Sequence, residues 1–169
     1  MGVKLIMRAL LVNAKAGFSF WTLPKTGILS GSKTLAPPLG IITVAAMLPS
    51  RWELKFVDLN TRRLTDADWN WADMVMVSAM LAQRDSMLAV VGEAKRRGKP
   101  VVVGGPYPTS VPDELSAAGA DFLVLGEGEC SIPPFLNALE QGATHGVFRC
   151  DEKADMSTSP IPRYVLIRF

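Results

Sequence analysis

The side chains that could carry chemistry are few, and their types restrict that chemistry. The 169-residue sequence holds one histidine, His145, and two cysteines, Cys130 and Cys150. A single histidine excludes a His-rich metal centre and a Ser–His–Asp triad within these residues. Two cysteines cannot build a framework of bridges, and they fit a reducing, cytosolic setting. Cys130 stands just inside a helix start, where a thiolate would be favoured, but its expected role is that of a small packed residue. The carboxylates Asp58, Asp66, Asp68 and Asp73 resemble no paired general-acid/base constellation. Asp66 and Asp68 suit the first turn of a short helix capped by Thr65. A phospho-receiver would need acids at the end of the first apolar run, where Asn13 stands instead. No nucleophile–base pair can be assembled from such positions, which argues against a stand-alone small-molecule enzyme.

What remains are small residues and glycines at the ends of apolar runs. Val77-Ser78-Ala79-Met80-Leu81 offers one hydroxyl among small neighbours. Gly104-Gly105-Pro106-Tyr107-Pro108-Thr109 removes side chains where a ligand or a neighbouring backbone comes close, and a tight turn would account for it equally well. Gly126-Glu127-Gly128-Glu129 is neither a Walker loop nor a GxGxxG after a first strand, so nucleoside triphosphate and dinucleotide readings fail. Its acids disfavour phosphate and suit hydroxyl or amide donors, or the cap of the next helix. The stretch from Ala14 to Pro37, with Phe18, Phe20 and Trp21, is long for a connection and rich in aromatics. It reads as an apolar flap, a lid over a flat ligand, or a docking surface.

The elements that must position these residues follow from the apolar pattern. Strand-length runs span Met7 to Asn13, Trp52 to Asn60, Asp73 to Ala79, Pro100 to Gly105 and Ala120 to Leu125. Several are nearly continuous in Val, Leu, Met and Ile, as in a parallel sheet covered on both faces. Helical stripes lie between them: Met87, Val90, Val91 and Ala94, and later Ile132, Phe135, Leu136 and Leu139. Val111-Pro112-Asp113-Glu114 opens a further helix, closed by Gly119. Leu39 to Leu48 is apolar nearly all round, predicting burial on more than one side. Alternating strands and helices predict an α/β, doubly wound, flavodoxin-like (Rossmann-like) parallel sheet, five-stranded in the order 2-1-3-4-5. Ligands of such sheets sit outside the carboxyl ends of the strands, where the small-residue loops fall. Residues 1–149 are expected to form this domain. Residues 150–169, polar with Pro160 and Pro162, read as a linker that leads onward or wraps back.

Composition agrees with a globular domain: 49% hydrophobic, 20% charged, net charge +2. The charge is too mild for a nucleic-acid partner, and no apolar run is long enough for a membrane span. The expected location is cytoplasmic.

Taken in order, the loops resemble the N-terminal cobalamin-binding domain of B12-dependent radical S-adenosylmethionine proteins. That group includes the anaerobic magnesium-protoporphyrin IX monomethyl ester cyclase and many methyltransferases. The resemblance rests on Pro37-Pro38-Leu39-Gly40, Ser78-Ala79-Met80, Val103 to Thr109, and Gly119 to Glu129. It implies a cobalamin whose nucleotide tail slots against the sheet. The implied contacts are Asn13, Ser78, Ala79, Met80, Gly104, Gly105, Pro106, Tyr107, Gly126, Glu127, Gly128 and Glu129. A side chain placed at Gly104 is then expected to fill the tail's groove and leave the fold intact. The better-known domains carry Asp-x-His-x-x-Gly after the first strand, and Asn13-Ala14-Lys15-Ala16-Gly17 lacks that histidine. The implied cofactor is therefore His-off, as in the radical subfamily. The three-cysteine motif for a [4Fe–4S] cluster is also missing. S-adenosylmethionine and the cluster would belong to a radical SAM barrel of the same full-length protein, and these residues would be its non-catalytic cobalamin module. The alternative is a flavodoxin-like domain that no longer binds cobalamin and serves substrate recognition or docking; it would show close-packed loops with no cavity at the strand ends.

Overall fold

The computed structural model describes residues 6–17 and 37–167. The aromatic stretch around Phe18, Phe20 and Trp21 and the first five residues lie outside the described ones. Six strands form one sheet: β1 (Arg8–Asn13), β2 (Glu53–Asp58), β3 (Met74–Ser78), β4 (Val101–Gly104), β5 (Phe122–Gly126) and β6 (Gly146–Cys150). Their order is β2-β1-β3-β4-β5-β6, and every pair is parallel. The expected order of the first five holds, but the sheet has a sixth strand. Gly-Val-Phe-Arg-Cys forms no apolar run because an edge strand with one wet face alternates, whereas the inner strands are runs: Val147 is 60% exposed.

Helices connect the strands: α1 (Leu39–Met47), α2 (Asp66–Trp71), α3 (Arg84–Arg96), α4 (Pro106–Ser110), α5 (Pro112–Ala117) and α6 (Gly128–Glu140). Thr65 caps α2 as expected; its hydroxyl accepts from the Asp68 N–H, and the Asp68 carboxylate accepts from the Thr65 N–H. The α3 stripe is buried at Met87, Val90, Val91 and Ala94, and α5 begins at Pro112. Two helices depart from expectation. The residues after Gly105 form a helix of their own, α4, with Pro106 at its first position, where a missing N–H costs nothing. Helix α1 buries only one side, through Ile41, Ile42 and Ala45, while Leu39 is half exposed.

Alternation along the strands sends side chains into two cores. Leu10, Val12, Val75, Val77, Val101, Val103, Leu123 and Leu125 meet α2, α3, α5 and Tyr107 on one face. Ala9, Leu11, Met74, Met76, Val102, Phe122 and Val124 meet α1 and α6 on the other. There Phe135 sets its edge against Phe122 at 5.3 Å and Phe148 at 5.7 Å between ring centres, so the half-buried Phe148 ties β6 to this core. After Cys150 the chain returns over this second face. The Arg163 N–H donates to the Ile42 carbonyl at 2.9 Å, and Leu166 and Ile167 pack against the core. Among the described residues, no helix is long and apolar enough to cross a membrane.

Candidate functional site

The strand register sets the site. Asp58, Asn13, Ser78, Gly104 and Val124 form one row across the sheet near its carboxyl edge. On the α1/α6 face, this row opens into a cavity of about 860 Å³, within the usual range for a small-molecule pocket. Its floor is the apolar face of the sheet: Leu11, Met76, Val102 and Val124. Its sides are α1, the start of α4 and the start of α6.

Five aliphatic hydroxyls line the cavity, on Thr43, Ser78, Thr109, Ser131 and Ser159. Four of them already donate within the protein. Thr43 bonds the Leu39 carbonyl at 2.9 Å, Thr109 that of Gly105 at 2.9 Å, Ser131 that of Glu127 at 2.8 Å, and Ser159 the Glu129 carboxylate at 2.6 Å. Thr109 also accepts from the Gly126 N–H at 3.0 Å, tying the end of β5 to α4. Ser78 is left with no hydrogen-bond partner for its hydroxyl among the described residues. A half-buried hydroxyl at a strand end, facing an apolar cavity, is a directed donor for a ligand.

The glycine pair serves the backbone as well as the cavity. Gly105 adopts φ 98° and ψ −177°, a region essentially closed to other residues. A Cβ there would lie 2.8 Å from Ser78 Oγ and 3.1 Å from the Ala79 carbonyl oxygen. At Gly104 it would come within 3.0 Å of the Val124 carbonyl oxygen. A side chain at 104 would therefore press on the β4–β5 contact as well as on the cavity. Both readings of Gly-Gly hold at once: a tight backbone junction that also borders the cavity.

Eight of the twelve expected contacts line the cavity: Ser78, Gly104, Gly105, Pro106, Gly126, Glu127, Gly128 and Glu129. The other four do not. Asn13 donates its side-chain amide to Asp58 at 3.1 Å, toward the β2 edge. Ala79 is buried in the opposite core, and Met80 is 62% exposed above the sheet. Tyr107 is 1% exposed beneath α4, and its hydroxyl donates to Glu114 at 2.5 Å. Burial, and then that bond, push its phenol up to about 12, while Arg84 and then Tyr107 hold the Glu114 carboxyl below its ordinary value. Tyr107 thus braces the glycine turn from below.

Several lining residues fall outside the small-residue loops. Helix α1 contributes Leu39, Gly40, Thr43, Val44 and Met47, and its unbroken apolar character was the available signal, since its apolar residues beyond those packed on the sheet border the cavity beside α6. Ser159, Pro160, Ile161, Pro162 and Tyr164 line it from the segment read as a linker, where nothing in the composition marked them.

Two further placements bear on chemistry. His145 immediately precedes β6, at the amino end of the sheet and opposite the cavity. The stretch after β1 is pinned through its backbone: the Lys15 N–H donates to Ser86 Oγ at 2.8 Å and the Ala16 N–H to Asn60 Oδ1 at 2.9 Å. Cys130 is not simply packed, as had been expected. It is bridged to Cys150, with Cα atoms 5.8 Å apart, joining the first turn of α6 to the end of β6.

A parallel, doubly wound sheet with an apolar, glycine-bordered cavity at its carboxyl edge defines a ligand-binding α/β domain. The chain belongs to the B12-binding domain family, whose sequence pattern it matches over residues 26–134. It is 53% identical to an uncharacterised methyltransferase (sll1242) of Synechocystis sp. over 161 residues, which is 95% of this chain and 30% of that protein. It is 36% identical to a hopanoid C-2 methylase of Rhodopseudomonas palustris, over 77% of this chain and 25% of that protein. It is 24% identical to a bacteriochlorophyllide d C-12(1)-methyltransferase of Chlorobaculum tepidum, over 83% of this chain and 30% of that protein. The chain thus spans less than a third of the length of these relatives.

Proposed function

We propose that this domain holds cobalamin by its nucleotide tail, as the cofactor module of a larger methyl-transferring enzyme of the radical SAM type. The observation that carries the reading is the Ser78 hydroxyl, the one uncommitted aliphatic hydroxyl of the cavity among the described residues. The chemistry of the lining fits the tail. Leu11, Met76, Val102 and Val124 give a flat apolar floor for an aromatic base, and Ser78 supplies one donor for a ring nitrogen. Glu127 and Glu129, half-buried to exposed at the cavity mouth, can accept from ribose hydroxyls or side-chain amides. The volume is of the order a nucleotide tail needs, and the exposed Met80 and Leu81 beside the cavity would be free to meet the rest of the cofactor. An open cavity at the strand ends does not favour a domain that has given up its ligand.

Bound cobalamin would supply a transferable methyl group or an electron carrier; the protein's part is to hold and orient it. His145 sits at the far end of the sheet, which supports a cofactor with no histidine beneath cobalt. The apolar rim of Leu39, Met80 and Leu81, each at least half exposed, suits docking of the catalytic barrel that would carry S-adenosylmethionine and the [4Fe–4S] cluster. The parent enzyme's methyl acceptor would be an unactivated carbon, with cyclisation the other chemistry this family of domains serves.

The test is equilibrium binding of hydroxocobalamin and of dicyanocobinamide, which lacks the nucleotide tail. Cobalamin is expected to stay with the protein through gel filtration, and cobinamide to be lost. Ser78→Ala should weaken cobalamin binding by about three- to tenfold, the worth of one hydrogen bond. Equal retention of both corrinoids would overturn the tail assignment, and retention of neither would overturn the cofactor reading.

A further inference from the structure

The outer wall of the cavity does not belong to the strand-and-helix frame. Ser159, Pro160, Ile161 and Tyr164 come from the strap that follows β6, beyond the region that matches the family. Beside the packing of Leu166 and Ile167 on the core, three ties hold this strap. The Ser159 hydroxyl donates to Glu129, the Arg163 N–H donates to Ile42, and the Cys130–Cys150 bridge fastens its root. The bridge is placed where it can govern the wall. Cys130 lies between Glu129 and Ser131, which both line the cavity. Cys150 ends β6, and its carbonyl lies so close to Gly126 that a Cβ there would run into it. One covalent link therefore joins the first turn of α6 to the point where the strap departs. Both cysteines are half-buried, open enough for thiol exchange.

We propose that Cys130 and Cys150 form a redox latch on the ligand cavity. As a disulfide they fix the root of the strap against α6, and the wall stays in place. As two thiols they free the root, and the stretch between Cys150 and Arg163 keeps only the Ser159 and Arg163 hydrogen bonds, each of modest net worth, while Leu166 and Ile167 anchor the far end on the core. Closing the latch removes two protons and two electrons from the thiols. A small-molecule disulfide such as oxidised glutathione accepts them and becomes two thiols, and a reduced dithiol reverses the step. The latch rests on the reading of this cavity as the ligand site, but the strap's motion can be followed without any ligand.

The experiment uses the whole chain equilibrated with oxidised glutathione, and a Cys130→Ser, Cys150→Ser double variant that needs no reductant. Thiol titration, hydrogen exchange over residues 151–167 and equilibrium dialysis with methylcobalamin are measured on each. The oxidised protein is expected to show no free thiol. In the variant, exchange in the strap should be about tenfold faster and methylcobalamin about tenfold weaker, as for a wall in place a tenth of the time. If the variant fails to fold, the wild-type chain in dithiothreitol gives the same exchange comparison. Two titratable thiols after oxidation, or equal strap exchange in both states, would overturn the latch. Methylcobalamin bound by neither form, with strap exchange still redox-dependent, would uphold the latch and overturn the cofactor reading.

Discussion

Replacing Gly105 with alanine asks whether the glycine pair serves the fold before it serves a ligand. At φ 98° and ψ −177°, a residue with a Cβ bears a backbone cost of about 1–3 kcal/mol. The new methyl would also stand 3.1 Å from the Ala79 carbonyl oxygen and 3.3 Å from its nitrogen, so β3 and β4 must part slightly. Such overpacking adds about 1–3 kcal/mol. The total, about 2–6 kcal/mol, should lower the melting temperature by roughly 5–20 °C for a chain of this length. Urea unfolding followed by far-UV circular dichroism measures it directly. Gly104→Ala has no positive φ to bear and should lose only the overpacking part, through its 3.0 Å approach to the Val124 carbonyl. A Gly105→Ala protein that melts within about 2 °C of wild type would refute this account of the turn.

Other expectations are independent of the pair. Tyr107→Phe removes a hydroxyl bonded to a carboxylate that keeps its Arg84 partner and some water; it should cost about 1–2 kcal/mol by urea unfolding and weaken cobalamin binding through the turn above it. Gly92 lies exposed in α3 with open space around it, so Gly92→Ala should raise stability by about 0.8–1 kcal/mol, seen as a higher urea midpoint. The Arg62 guanidinium, with Thr65, holds the Asp68 carboxyl well below its ordinary value of 3.8. The folded state then binds fewer protons than the unfolded one, so Asp68's contribution is complete above that value and fades as the pH falls below it. Thermal melts from pH 6 to pH 2 should show a shallower acid loss for Asp68→Asn than for wild type.

The parallel sheet was legible because its inner strands are wet on neither face; runs such as Val101-Val102-Val103 have few other homes. Helix α3 was legible from its stripe, and α2 from Thr65 and Asp68, because capping is local chemistry. Strand β6 was not, since its pairing depends on Phe148 reaching Phe122 and Phe135 from distant parts of the chain. The site divided along the same line. Ser78 and the glycines stood at strand ends and were visible, as loops there must line any cleft. Tyr107 was placed on the wrong side of its loop, because the turn into α4 sends it under the sheet edge and not over it. Asn13 was drawn toward Asp58 by a bond across strands. The strap residues left no trace, because what brings Ser159 to Glu129 is the path of the whole chain and no local preference.

The bond from Arg163 to Ile42 also orders events in time. It closes a loop of about 120 residues, and such contacts form only after the intervening structure has repaid the entropy of bringing their ends together. Every strand precedes the strap in the chain, so a ribosome would release a nearly finished sheet with its cavity still open on one side. A bulky ligand present during synthesis would then meet an unwalled site and be enclosed as the strap settles. The same ligand, offered once the strap is in place, would have to wait for it to lift.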